Sequence, residues 1–368
     1  MFKEKDQPAL IAGILADIRD LSATLKQRQP ERIYTLMEVC GTHTMNIYRY
    51  GIRRLLPENI RLIAGPGCPV CVTPACTVAQ ALAIAGLPAT ILVSFGDMLR
   101  VPADGKNLLQ ARAEGADVRM ALSPLDALAI AEEHPRQEVV FLAVGFETTA
   151  PLTAATGQMA LERKLNNFSL LAAHKTMPRA LKALFSSSSL VDGLLCPGHV
   201  AAITGADYFK FVPDILGKPA AVAGFEPEEI LLAIRALLLQ LEWGQPRLDN
   251  CYRRAVSEAG NSRAMAVMKQ VYQPCDALWR GLGELPGSGL EIRPEYQNLD
   301  AQKRFTLEVE AIADNPDCCC GQILQGRMQP EDCPLFAKVC TPEHPEGACM
   351  VSAEGGCAAA YRYGEQVD

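Results

Sequence analysis

Residues 60–95 read IRLIAGPGCPVCVTPACTVAQALAIAGLPATILVSF. Ile60 to Ala64 is a short apolar run with strand character. It breaks at Gly65-Pro66-Gly67, where no regular strand continues, and passes through Cys68-Pro69-Val70-Cys71 into a helix from about Pro74 to Ala85. Proline is well placed in that helix's first turn, because the N–H it lacks has no intrahelical partner there. Ala89 to Phe95 is a second buried strand, followed by the turn Gly96-Asp97-Met98. Strand, turn, helix, strand is the grammar of a mostly parallel α/β sheet.

The same grammar extends both ways. Pro8 to about Gln27 places Leu10, Ile11, Ile14, Leu15, Ile18 and Leu21 at helical spacing. Ile33 to Val39 reads as a strand ending at Cys40, and Thr44 to Leu56 as a helix stopped by Pro57. Downstream, Val139–Val144, Ser169–Ala173, Gly193–Leu195 and Ala220–Ala223 read as strands. Helices are expected after Pro151, over Pro178–Phe185 and over Pro227–Glu242. The pattern predicts two α/β domains of related design, at about 1–120 and 121–245, with exchange of strands between them left open. Residues 246–368 form a third unit. In it Gly281 to Arg293 reads as a linker or irregular loop and Asp300 to Ala311 as a helix. From Asn315 onward Cys, Gly and Pro dominate and apolar periodicity disappears, so this unit is expected to need a metal as its organising centre.

Composition narrows the function classes. The 368 residues carry a net charge of −7 and a pI near 5.4, which argues against nucleic acid or an anionic membrane as partner. The basic run from Arg49 to Arg54 reads as the solvated face of a helix. The longest apolar stretch, about Ala81 to Phe95, is interrupted by Gly86 and Pro88 and is too short to span a bilayer. The N-terminus has no apolar leader core, so a cytoplasmic protein with reduced thiols is expected.

That compartment gives the fourteen cysteines their meaning. Seven of them, Cys318, Cys319, Cys320, Cys333, Cys340, Cys349 and Cys357, crowd the C-terminal unit. The gaps from Cys318 to Cys333, Cys340 and Cys357 are fourteen, six and sixteen residues, without the paired C-x₂-C of zinc knuckles. Four thiolates gathered from loops suit a 4Fe–4S cluster; zinc and scattered free thiols are the alternatives. Cys320 competes with Cys318, and Cys349 with its neighbours, for a place among the ligands. Cys68 and Cys71, just before a helix, suit a dithiol–disulfide pair or a soft-metal site. Cys40, in Glu38-Val39-Cys40-Gly41-Thr42-His43, is expected to be an exposed, acidified thiol with His43 in reach. Cys76 reads as core. Cys40, Cys68, Cys71, Asp97, Glu147, His174 and His199 all follow predicted strands and are expected to converge on one crevice, where open α/β sheets place their sites. No phosphate loop or dinucleotide fingerprint is present, and no nucleotide is inferred.

These motifs resemble a known family. Glu38-Val39-Cys40-Gly41-Thr42-His43-Thr44, Gly65-Pro66-Gly67-Cys68-Pro69-Val70-Cys71, Ser94-Phe95-Gly96-Asp97-Met98, Gly145-Phe146-Glu147-Thr148-Thr149-Ala150-Pro151, Cys196-Pro197-Gly198-His199 and the tail through Ser352-Ala353-Glu354-Gly355-Gly356-Cys357 are similar to the HypD family of hydrogenase maturation factors. The resemblance runs nearly end to end. It implies two Rossmann-like α/β domains and a small iron–sulfur domain. It implies a scaffold with redox activity, rather than a turnover enzyme, on which the Fe(CN)₂CO group of [NiFe]-hydrogenase is assembled with a HypC-type chaperone and a HypE-type cyanide donor. On matching positions Cys40, Cys68 and Cys71 would meet the cargo iron, His43 would assist Cys40, and Cys318, Cys333, Cys340 and Cys357 would hold the 4Fe–4S cluster. Cys319 departs from the pattern by making a triple cysteine where two are expected. An iron–sulfur-dependent thiol–disulfide reductase acting on a protein client is the alternative reading.

Overall fold

The structure, a computed structural model, describes residues 7–187, 190–306 and 315–364. Eleven strands are present among them: β1 (Tyr34–Glu38), β2 (Ile60–Ala64), β3 (Thr90–Ser94), β4 (Asp117–Met120), β5 (Glu138–Ala143), β6 (Phe168–Ala172), β7 (Gly193–Pro197), β8 (Ala220–Ala223), β9 (Leu248–Asn250), β10 (Tyr272–Trp279) and β11 (Gly283–Ile292). They make two wholly parallel sheets, ordered β2-β1-β7-β8-β9 and β4-β3-β5-β6, and one antiparallel hairpin, β10-β11. Parallel sheets carry helices on both faces, so central strands have apolar middles, as with Ile91-Leu92-Val93 in Thr90–Ser94, where all five residues are buried.

The second sheet is one continuous stretch of chain, β3 to β6, inserted between β2 and β7 of the first, so the two units do not trade strands; β3 pairs with β4 and β5, and β7 returns to β1. A division at 120/121 therefore does not follow the sheets. Helix Gln7–Arg28 buries Ile14, Leu15, Ile18, Leu21 and Leu25 and packs against helix Pro227–Trp243 over the first sheet.

Three local expectations change. The helix predicted over Thr44–Leu56 is two pieces, Gly41–Arg49 and Ile52–Leu55, broken where Gly51 takes a left-handed φ of 62° that favours glycine. Gly281 to Arg293 is no linker but the turn and second strand of the β10-β11 hairpin, whose alternating pattern Gly and Pro had masked. Of the helix expected over Asp300–Ala311, Ala301–Arg304 is helical and residues 307–314 lie outside the described segments. The basic run is only partly solvated: Arg53 lies 4.2 Å from the Tyr48 ring centre and donates to Gln329 at 2.9 Å.

The Cys-rich C-terminal unit also packs better than its composition suggests. Ile323, Leu324, Cys349, Met350 and Ala358 are buried in one apolar cluster with Met37, Ile63, Phe146 and Trp279. Helix Ala348–Val351 packs on helix Pro69–Val72, and helix Gly356–Tyr363 packs on helix Gly41–Arg49. No described helix is long and apolar enough to cross a membrane.

Candidate thiol and metal centre

In the first sheet the chain leaves β1 for β2 on one side and, later, for β7 on the other. The carboxyl end of β1 is thus a switch point, where a crevice opens between loops that diverge. Cys40 stands there as the N-cap of helix Gly41–Arg49, extended at φ −148° and ψ 122°. The register Glu38↔Ala64 carries the next loop alongside. Gly41 N donates to Gly67 O at 3.1 Å, and a Cβ on Gly67 would fall 2.1 Å from Cys40 N. Only glycine lets the two cysteine motifs approach this closely.

The Cys40 thiol is not the exposed, acidified group expected. It is buried and pushed up to about 12, chiefly by burial and then by the Glu354 carboxylate; the backbone N–H groups of His43 and Thr42 pull the other way and lose. His43 is also buried, and burial lowers it to about 4, so its ring is neutral. Its Nε2 lies 2.8 Å from Gly224 O and must donate there, leaving Nδ1 unprotonated and without a hydrogen-bond partner. His43 therefore acts on Cys40 through its backbone, not its ring. Two carboxyl groups that the sequence reading did not single out also act on this turn. Glu38 accepts from Cys40 N at 3.1 Å and from the Thr44 hydroxyl, and burial pushes it up to about 7. Glu354, from the C-terminal unit, accepts from Thr42 Oγ1 at 2.6 Å. A buried carboxyl near 7 can exchange a proton at neutral pH.

Cys68 is the N-cap of helix Pro69–Val72, and its sulfur accepts from Cys71 N at 3.3 Å. Cys71 is fully buried; burial, then Cys349 and Cys68 within hydrogen-bonding reach, push its thiol well up. A four-residue helix offers too few aligned N–H groups to offset that burial. Cys349 in turn accepts from Cys320, Cys357 and Cys71, which hold its thiol well down. Sulfur contacts therefore run without a break from the C-terminal unit to the Cys68–Cys71 pair.

The remaining thiols surround this point. Cys318 contacts Cys320, and both sulfurs would lie 2.5 Å from a Cβ placed on Gly347, so a glycine leaves room between them. Cys333 contacts Cys319, and Cys340 Sγ accepts from Glu346 N at 3.4 Å. Cys333, Cys340 and Cys357 are buried and Cys318 half-buried, all in or against one cluster. Among the described residues no three His, Cys, Asp or Glu side chains are drawn together tightly enough for a single ion. The donor set is all sulfur with backbone N–H support, compatible with a multi-iron cluster, which takes each thiolate on a different iron. Cys320 meets Cys349 and Cys357, while Cys318 meets Cys320.

The other strand-end residues divide. His199 stacks 3.9 Å from Phe225, whose ring also faces His43, so it belongs to the Cys40 crevice. Asp97 pairs with Arg100 at 3.4 Å, and Arg100 reaches Val351 O at 2.6 Å, tying the second sheet to the C-terminal unit. Glu147 is buried, raised by burial, and accepts from Tyr208 at 2.7 Å and Met177 N at 2.9 Å. His174 is committed elsewhere: it meets Thr153 at 3.2 Å, which meets Tyr272 at 2.9 Å, and burial lowers it to about 3. Cys76 is half-exposed rather than core and shares a cavity of about 290 Å³ with Lys175 and Cys275.

A family model described as HypD, hydrogenase formation hypA family, matches residues 15–364. The chain is 45% identical over 360 residues to a hydrogenase maturation factor HypD of Azotobacter vinelandii, covering 95% of each chain. It is 45% identical over 344 residues to the Rhizobium leguminosarum bv. viciae protein of that name, covering 91% of this chain and 89% of that one. It is 41% identical over 363 residues to the one from Escherichia coli K12, covering 98% and 96%.

Proposed function

The chain belongs to the HypD family of hydrogenase maturation factors, and on that premise we propose that it is a redox-active scaffold for assembling the Fe(CN)₂CO group of a [NiFe]-hydrogenase. The observation that carries this reading is Cys40 at the switch point of the first sheet, with the Cys68–Cys71 loop packed against its backbone and the C-terminal unit closing the other side. The cargo iron is the substrate. Low-spin iron carrying cyanide and carbonyl prefers soft thiolate donors, which Cys40, Cys68 and Cys71 supply. A HypC-type chaperone would add a further sulfur, and a HypE-type protein would deliver cyanide.

The chain's own groups handle the protons. Cys40 is held protonated by burial and by Glu354, so the thiol stays unreactive until a cation arrives to stabilise the thiolate. Glu38, pushed up to about 7 and bonded to Cys40 N, is the nearest buried carboxyl able to share the released proton. His43 is neutral and fixes the turn through Gly224. In the C-terminal unit Cys318, Cys333, Cys340 and Cys357 would hold a 4Fe–4S cluster, which supplies single electrons when bound. A cytoplasmic, reducing setting keeps these thiols available.

The second reading, a thiol–disulfide reductase for a protein client, is favoured by one observation, the contact of Cys71 with both Cys68 and Cys349. Infrared spectroscopy of the anaerobically purified protein with its chaperone separates the two. Cyanide and carbonyl bands that vanish in soluble Cys40→Ala protein support the scaffold. Bands that persist in that variant sink the anchoring role of Cys40. A bandless wild type that turns over disulfides supports the reductase.

A further inference from the structure

A buried arginine lies between the two thiol groups. Arg280 occupies the turn of the β10-β11 hairpin and is only 5% exposed. Its backbone N donates to Val72 O at 2.9 Å and its Nε to Thr73 O at 2.9 Å, so it closes the C-terminal end of the helix that bears Cys71. The next residue, Gly281, lies against Gly321: a Cβ on Gly281 would fall 2.4 Å from Gly321 Cα, directly after Cys320. Gln325 Nε2 reaches Gly281 O at 2.5 Å and locks that contact. Arg280 also lines a cavity of about 670 Å³ with Ala75, Asn107, His344 and Glu346, the last being the donor to Cys340.

Resting on the cluster reading above, we propose that Arg280 is a positioning residue that sets the reduction potential of the C-terminal iron–sulfur centre and couples it to the Cys68–Cys71 helix. Adding an electron to a cluster of four thiolates increases a buried negative charge. A fixed cation in a poorly polarisable interior favours that added charge far more than one in water. Arginine suits the position because it stays protonated when buried and its planar fork serves backbone carbonyls at the same time.

The test uses the full chain, purified anaerobically as wild type, Arg280→Lys and Arg280→Met, with iron and sulfide content and a redox titration of the visible absorption. In Arg280→Met the reduced-to-oxidised ratio at a fixed potential should fall about tenfold, about 59 mV for a one-electron couple, at unchanged iron content. Arg280→Lys should stay near wild type. If Arg280→Met loses its iron while Arg280→Lys keeps it, Arg280 is a structural cation of the centre and the potential-setting role is overturned. Full iron and an unmoved potential in Arg280→Met overturn it, as does an equal shift, or equal loss of iron, in Arg280→Lys. A colourless wild type refutes the cluster reading itself, and the inference falls with it.

Discussion

Thr42 donates its hydroxyl hydrogen to the Glu354 carboxylate at 2.6 Å, joining residues 312 positions apart and fastening the C-terminal unit to the turn that follows Cys40. Glu354 also lies against Gly41, where a Cβ would fall 2.6 Å from its own Cβ. The Cys40 crevice and the Cys-rich unit therefore share a wall. Thr42→Val removes a hydrogen bond to a charged group, worth about 1.5–3 kcal/mol when formed in a partly buried setting. Hydrogen exchange should speed up at residues 41–44 and 352–355 together. Faster exchange in only one of these segments would show that they open independently.

Gly67 is where the two cysteine motifs meet, and it tolerates no side chain. Gly67→Ala would force a methyl group into the backbone of Val39 and Cys40, contacts of 2.2 and 2.1 Å. Overpacking against rigid backbone costs about 1–3 kcal/mol or more. Gly13→Ala is the control, since nothing lies within 4 Å of its added methyl in an exposed helical position. It should stabilise the chain by roughly 0.5–1 kcal/mol. Urea unfolding of both variants checks the pair; equal effects would mean the motifs are not in the contact described.

Lys175 gives a stability that depends on pH. Burial lowers its amine from 10.5 to about 8. Between those values the unfolded chain binds the proton and the folded chain does not, so this residue's contribution rises with pH from about 8 to 10.5. Below about 8 both states are charged and the folded state bears the full cost of the buried ammonium, about 3 kcal/mol at most. Lys175→Met should therefore be more stable than wild type at pH 7, with the difference fading above pH 10.5. A difference that is flat with pH would place the amine in solvent.

The parallel strands were legible because mostly apolar runs such as Ile60-Arg61-Leu62-Ile63-Ala64, buried but for Arg61, and Ala220-Ala221-Val222-Ala223 end sharply at Gly- and Pro-rich turns. β4 and β9 escaped because they are short edge strands with polar residues, Asp117-Val118-Arg119-Met120 and Leu248-Asp249-Asn250. The approach of the loop bearing Cys68 and Cys71 to the Cys40 turn followed from strand-end logic. His174 fits the same logic yet is held away from the crevice, because Thr153 Oγ1 bonds its Nε2 and the Tyr272 ring packs 5.2 Å from it. The protonation of Cys40 was misread because a helix N-terminus is visible in sequence, whereas the burial that outweighs it depends on distant chain, Glu354 among it. Nothing in the sequence around Arg280 marks it as a neighbour of the Cys71 helix, nor around Glu354 as a neighbour of Cys40, 314 positions away.

Cys71 is the sulfur common to two contacts, one with Cys68 and one with Cys349. Helix Pro69–Val72 holds Cys68 and Cys71 in one turn, with Cys71 N on Cys68 Sγ at 3.3 Å, while helix Ala348–Val351 brings Cys349 from the opposite side. Oxidised glutathione should therefore close a disulfide at Cys71 with either partner, two thiol protons and two electrons leaving to form two molecules of reduced glutathione. Cys68→Ser should leave a Cys71–Cys349 disulfide, and Cys349→Ser a Cys68–Cys71 disulfide. Cys71→Ser should abolish both. Peptide mass mapping after alkylation of the remaining free thiols reads each pairing directly. A disulfide between Cys68 and Cys349 in the Cys71→Ser protein would show that Cys71 does not separate them, and the thiol order described here would be wrong.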